Sequence, residues 1–186
     1  PRTVAIIAVH LYGHACRVEE LKRLAGKYGL RLIEDAAEGL GGDLAPTQKL
    51  GTIGDIGTFS FYGNKVITTG EGGMLVTNHE WVRNRVFKLR GQGVDPTRRY
   101  YHDVVGYNYR MTDLQAALGV VQMQRFDEIL RKRRAVMDAY NGHLREPLRG
   151  FLQESSYPLA GVAPWLYTVL MPSQRSADAL QSGLAA

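Results

Sequence analysis

Apolar positions along the chain fall into short blocks separated by glycine-rich and polar stretches, and the spacing within each block assigns an element. Residues 3–9 (TVAIIAV) form a continuous β-branched run, the pattern of a parallel-sheet strand buried on both faces. Residues 10–14 (HLYGH) read as a polar turn. Across residues 17–28, Val18, Leu21, Leu24 and Ala25 recur at helical spacing, and Gly29 supplies the stop. Residues 30–33 form a second strand that ends in Glu34 and Asp35. A strand, a short helix and a strand within about 30 residues make a βαβ unit, right-handed in nearly all cases.

The glycine-rich residues 39–54 are too irregular for an element and read as a loop. Residues 57–61 (GTFSF) and 74–77 (MLVT) predict two further strands around the tight segment 64–73 (NKVITTGEGG). Residues 80–90 predict an arginine-rich surface helix, and 91–105 a loop with Pro96 and several aromatics. Thr112 is placed to N-cap a helix with Leu114, Leu118 and Val121 on one face. A second helix follows over about 126–144, with Phe126, Leu130, Met137 and Tyr140 facing inward. Pro147, Gly150, Pro158, Gly161 and Pro164 mark a linker, residues 165–171 (WLYTVLM) a strand, and Ser173 the cap of a last helix. The pattern gives an α/β chain: one unit over 1–145, a linker over 146–163 and the start of a second, smaller α/β unit over 164–186.

Length and composition narrow this picture. The 186 residues suit one domain and a fraction, and 45% hydrophobic with 22% charged residues is ordinary globular usage. Glycine, at 21 residues, is in excess, as expected where backbone turns sharply or passes close to something. The single Cys16 excludes an internal disulfide and a cysteine-built zinc site. No apolar run approaches the ~20 residues of a membrane span. A net charge of +5 suits an acidic ligand but does not by itself indicate nucleic acid. Pro1 is not an initiator Met, and the final helix meets no stop signal. The sequence therefore reads as an internal piece of a longer protein, whose sheet needs neighbours beyond the four strands found.

Three features carry candidate chemistry. Asp35 follows an apolar strand at its carboxyl end, the edge at which open α/β sheets bind ligands. A carboxylate there can serve a metal, a ribose hydroxyl or a cationic ring nitrogen, and a lone one commonly just caps a turn. Ser60 ends another strand and Lys65 follows on a constrained turn. A desolvated lysine is a nucleophile for aldehydes, although most lysines are simply exposed. Gly70–Gly73 (GEGG) bends the backbone but matches neither the dinucleotide fingerprint nor a phosphate loop. Taken together, an acid for a ring nitrogen, an amine for an aldehyde and a hydroxyl for a phosphate are what pyridoxal 5′-phosphate chemistry requires.

The blocks IEDAAEGLGG, LGTIGDIGTFSFYGNKVITTGEGGMLVTN and YYHDVVGYNYRMTDLQAALGVVQ resemble the DegT/DnrJ/EryC1/StrS family of sugar aminotransferases. The likeness runs over residues 1–144 and, more weakly, through PWLYTVL. It implies the aspartate-aminotransferase type of pyridoxal phosphate fold (fold type I) and a cytoplasmic homodimer. It also implies transfer of an amino group from glutamate to a keto-sugar nucleotide for deoxyaminosugar and polysaccharide synthesis. Position by position, Lys65 matches the Schiff-base lysine and Asp35 the partner of the pyridine nitrogen. Glu38 matches a polar residue beside the ring, and Ser60 the phosphate-contacting serine. Asn108 matches a residue that reaches the phosphate of the other subunit's cofactor. The Glu38 variant and the YGNK and YYHDVVGYNYRM wording are most similar to the perosamine synthase branch, which acts at C4 of GDP-linked 4-keto-6-deoxymannose. The family's upstream phosphate-binding turn, its ring-stacking aromatic and its C-terminal sugar-site residues have no counterpart in this sequence, so this stretch by itself is expected to bind cofactor poorly.

Other readings fit less of the sequence. Lys65 disfavours the family's sugar-dehydratase offshoot, in which that lysine is a histidine; a non-catalytic relative is a further alternative. TDLQAALGV resembles the start of a helix-turn-helix, but helical periodicity continues through Gly119, and Arg131–Arg134 lie close to Asp127 and Glu128 on a solvated face. A nicotinamide domain lacks its glycine fingerprint. His10 and His14 lack a third metal ligand in sequence. Tyr100, Tyr101, Tyr107 and Tyr109 are expected at a dimer interface rather than stacked on bases.

Overall fold

A computed structural model of the chain describes residues 2–144 and 161–185. In chain order the elements are β1 (Ala5–Val9), α1 (Val18–Tyr28), β2 (Arg31–Asp35), β3 (Asp43–Ala45), β4 (Gln48–Lys49), β5 (Ile56–Ser60) and β6 (Gly73–Thr77). Helices α2 (Glu80–Arg90), α3 (Asp113–Gln124), α4 (Phe126–Leu144) and α5 (Gln174–Leu184) follow. The main sheet has the order β1-β2-β5-β6, with β1, β2 and β5 parallel and β6 antiparallel to β5.

The β1–α1–β2 unit forms as its pattern predicts. Gly29 takes a left-handed φ of 64° and turns its N–H back onto the last carbonyls of α1. The register pairs Ile6 with Leu32 and Ala8 with Glu34, so these four share one face of the sheet. α1 covers that face: Val18 and Ala25 meet Ala8, Leu32 and Ile53 in the core. Full burial of a side chain such as Val18 or Leu32 contributes about 1.5–3 kcal/mol.

The opposite face departs from expectation. Strand β1 is not buried on both sides: Ile7 is 65% exposed and Val9 is exposed. The continuous apolar run is the signature of a covered face, and no described residue covers this one.

Two further expectations change. Residues 39–54 are not all loop, because Asp43–Ala45 and Gln48–Lys49 pair as a small antiparallel ribbon. Those strands are too short and too polar to show an alternating pattern. Residues 165–171 do not form a strand; they hold only an isolated bridge residue at Val169. A strand needs a paired neighbour, and the described residues supply none there. The expected helices do form. Thr112 caps α3 with a capping box to Gln115, Gly119 lies inside α3, and Arg125 separates α3 from α4. Leu130 is buried, whereas Tyr140, expected inward, is exposed and stacks on Tyr167. Most of the linker lies outside the described residues. Its end is anchored: the Ala163 N–H donates to the Gly13 carbonyl at 3.0 Å, and Gly161 pairs with Asp43.

Candidate functional site

Asp35 is the last residue of β2, in register with Val9 and Thr58. Ser60 lies two residues beyond Thr58 on β5, so alternation puts Asp35 and Ser60 on the same, open face of the sheet. Both are at carboxyl ends of parallel strands. Each makes a local turn contact: Asp35 Oδ1 accepts from the Ala37 N–H at 3.1 Å, and Ser60 Oγ from the Tyr62 N–H at 3.3 Å. No other described residue hydrogen-bonds either side chain.

Lys65 lies on the turn after β5. Its N–H donates to the Tyr62 carbonyl, and Arg133 of α4 donates to the Lys65 carbonyl at 3.1 Å, which ties the turn to the long helix. The Lys65 side chain is only 13% exposed, and its Nζ lies 3.9 Å from Glu38 Oε1. Glu38 Oε2 accepts from the Tyr12 N–H at 2.6 Å. Tyr12 has a φ of 54°, which costs a non-glycine residue about 1–3 kcal/mol; the Glu38 hydrogen bond helps offset this. The HLYGH turn is thus a short helical turn that fixes Glu38 in front of Lys65.

A buried carboxylate supports this edge from beneath. Glu34, next to Asp35 but on the α1 side, is completely buried. It accepts from the N–H groups of Gly51, Ile53 and Gly54 and from His10 Nε2 at 2.9 Å. Burial pushes its carboxyl pKa up, but His10 and the three amides outweigh this and hold it below the usual value. Burial opposes a charge on His10, but its contacts with Cys16 and Glu34 outweigh this and raise its pKa to about 9; the Cys16 N–H lies 3.3 Å from Nδ1. His10 also donates its N–H to the Asp35 carbonyl at 3.0 Å, so the cluster grips the Asp35 backbone directly. His14 Nδ1 is buried without a partner among the described residues, and burial lowers its pKa. Among the described residues, no three His, Cys, Asp or Glu side chains group as metal ligands.

The structure therefore brings Lys65 and Glu38 together and puts Asp35 and Ser60 on one face. Asn108 stands apart, exposed and bridged to Gly91 in the loop before α3. Sequence reading did not place Arg133 or Trp165 beside Lys65, nor Tyr12 against Glu38 and Trp165. No helix among the described residues is long and apolar enough to cross a membrane.

Comparison with known proteins is consistent with this architecture. The model of the DegT/DnrJ/EryC1/StrS aminotransferase family matches residues 1–186. GDP-perosamine synthase of Vibrio cholerae is 48% identical over 143 residues, 77% of this chain and 39% of that protein. GDP-perosamine synthase of Caulobacter vibrioides is 46% identical over 170 residues, 91% of this chain and 45% of that protein. The chain thus spans less than half the length of these curated relatives. The solved structure of the aminotransferase TlmJ from Streptoalloteichus hindustanus matches 100% of this chain and 50% of its own, with a TM-score of 0.87 at 27% identity. The α/β architecture is therefore that of the pyridoxal phosphate-dependent aminotransferases of fold type I, and the chain belongs to the DegT/DnrJ/EryC1/StrS aminotransferase family.

Proposed function

We propose that the protein is a pyridoxal phosphate-dependent transaminase that moves an amino group from glutamate to a keto-sugar nucleotide. The particular acceptor is GDP-linked 4-keto-6-deoxymannose, and the enzyme works as a cytoplasmic homodimer. One observation carries the reading: a shielded lysine amine, fixed beside Glu38, lies on the turn that leaves the strand edge bearing Asp35 and Ser60. The names of the two perosamine synthases, at 46–48% identity, support the GDP-sugar acceptor.

The donor set fits the cofactor. Lys65 offers an amine to an aldehyde, Asp35 an anion to a ring nitrogen, and Ser60 a hydroxyl to a phosphate, with Glu38 beside the ring. When bound, pyridoxal phosphate supplies an electron-withdrawing ring that acidifies the C–H of an attached amine. The chain's own residues do the rest. Asp35 would keep a proton on the ring nitrogen, and the His10 contact to its backbone holds it in place. Lys65 Nζ takes a proton from carbon and returns it, from a turn pinned by Arg133. Asn108, exposed on its loop, reaches across to the phosphate site of the second subunit. Tyr100, Tyr107 and Tyr109, all exposed, supply that loop with aromatic surface suited to a subunit interface.

The test is the absorbance spectrum of the full-length protein loaded with pyridoxal phosphate, before and after glutamate. The account expects the aldehyde-derived band to give way to that of the pyridoxamine form, and GDP-4-keto-6-deoxymannose to restore it. A spectrum that glutamate leaves unchanged contradicts the transaminase reading. A pyridoxamine form restored only by other keto-sugar nucleotides contradicts the acceptor.

A further inference from the structure

Lys65 has surroundings that binding a cofactor does not require. Trp165, one hundred residues further along, grips two consecutive residues of the lysine turn. Its indole N–H donates to the Asn64 carbonyl at 3.0 Å, and the centre of its ring lies 3.9 Å from Lys65 Nζ. Tyr12 stacks on the same indole, with ring centres 6.4 Å apart and planes 17° from parallel. Through its backbone N–H, Tyr12 also fixes Glu38, whose free oxygen lies 3.9 Å from the same amine. An aromatic face and a carboxylate around one shielded amine is the chemistry that holds an ammonium group.

We infer that Trp165, Tyr12 and Glu38 form a dock for the free, protonated amine of Lys65, with Trp165 as its positioning residue. Arg133 fixes the lysine backbone, so the side chain moves between the dock and the strand edge without displacing the turn. An amine not joined to cofactor is then held at one defined place, out of reach of stray electrophiles. The role of the dock in turnover rests on the proposed function; its existence does not, and it is tested without cofactor.

The experiment acylates cofactor-free, full-length protein with limiting N-hydroxysuccinimidyl acetate and follows each lysine by peptide mass spectrometry. Lys65 is expected to react more slowly than Lys49, which is 60% exposed. Trp165→Leu is expected to speed Lys65 labelling about threefold to tenfold and leave Lys49 unchanged. Trp165→Phe keeps an aromatic face and is expected to bring the rate back to within about twofold of the unaltered protein. Glu38→Gln removes the anion with little change in shape and is expected to speed labelling as well, which decides the matter if Trp165→Leu does not fold. Equal Lys65 rates in the unaltered protein and Glu38→Gln, or a Trp165→Phe rate as fast as that of Trp165→Leu, overturn the dock. A protein whose spectrum ignores glutamate but whose labelling follows this pattern loses the proposed function and keeps the dock.

Discussion

Glu34 shows how a single buried charge holds the site edge. Alternation along β2 sends Glu34 inward and Asp35 to the opposite face, so neighbouring carboxylates take different tasks. Glu34 has four donors and no solvent exposure, and replacing it leaves His10 and three amides short of an acceptor. Glu34→Gln is expected to cost about 3–5 kcal/mol in urea unfolding. The pH dependence has a definite sign. Because folding lowers the Glu34 pKa, its contribution is fully present above about pH 4.5 and is lost as pH falls through the folded value. Unfolding midpoints should therefore drop on the acid side in the unaltered protein and drop less in Glu34→Gln. Identical acid limbs would contradict this account of Glu34. The sequence shows Glu34 and Asp35 as a pair at a strand end. Only Arg31 in the preceding run hints at which one is buried: it shares the face of Asp35, but the apolar Ile33 between them on that face masks the alternation.

At the level of elements, β5 is placed by close backbone approach. A Cβ on Gly57 would lie 1.7 Å from the Gly51 carbonyl oxygen, and Gly51 itself has a φ of 84° beneath the Phe59 ring. The amides of this same loop hold Glu34. Gly57→Ala is expected to destabilise by at least about 3 kcal/mol, because rigid backbone must give way. Gly26→Ala, on the exposed side of α1 with open space around it, is expected to stabilise by about 0.5–1 kcal/mol. Thermal unfolding of the pair checks both signs, and a harmless Gly57→Ala would refute the packing argument. The elements with strong periodicity were legible: α1 with its Gly29 stop, α3 with its Thr112 cap, and β1, β2, β5 and β6 within a residue or two. The β3–β4 ribbon was not, since two- and three-residue strands carry no period. The strand read over residues 165–171 failed for the opposite reason, an apolar run that finds no paired strand among the described residues.

On the scale of the whole molecule, what the sequence hid is long-range contact. Lys65 meets Trp165 across one hundred positions and Arg133 across 68, and no local pattern announces either. The candidate residues themselves were legible because strand ends and a constrained turn leave local signals, and because their wording resembles a family. The exposed face of β1, the exposed tyrosines and Leu114, 86% exposed on α3, form apolar surface that no described residue covers. The account stands on one amine. The most direct measurement is borohydride reduction of the full-length protein loaded with pyridoxal phosphate, followed by peptide mass spectrometry. The account predicts the reduced adduct on Lys65 and none in Lys65→Ala. An adduct on another lysine, or one that persists in Lys65→Ala, would contradict it.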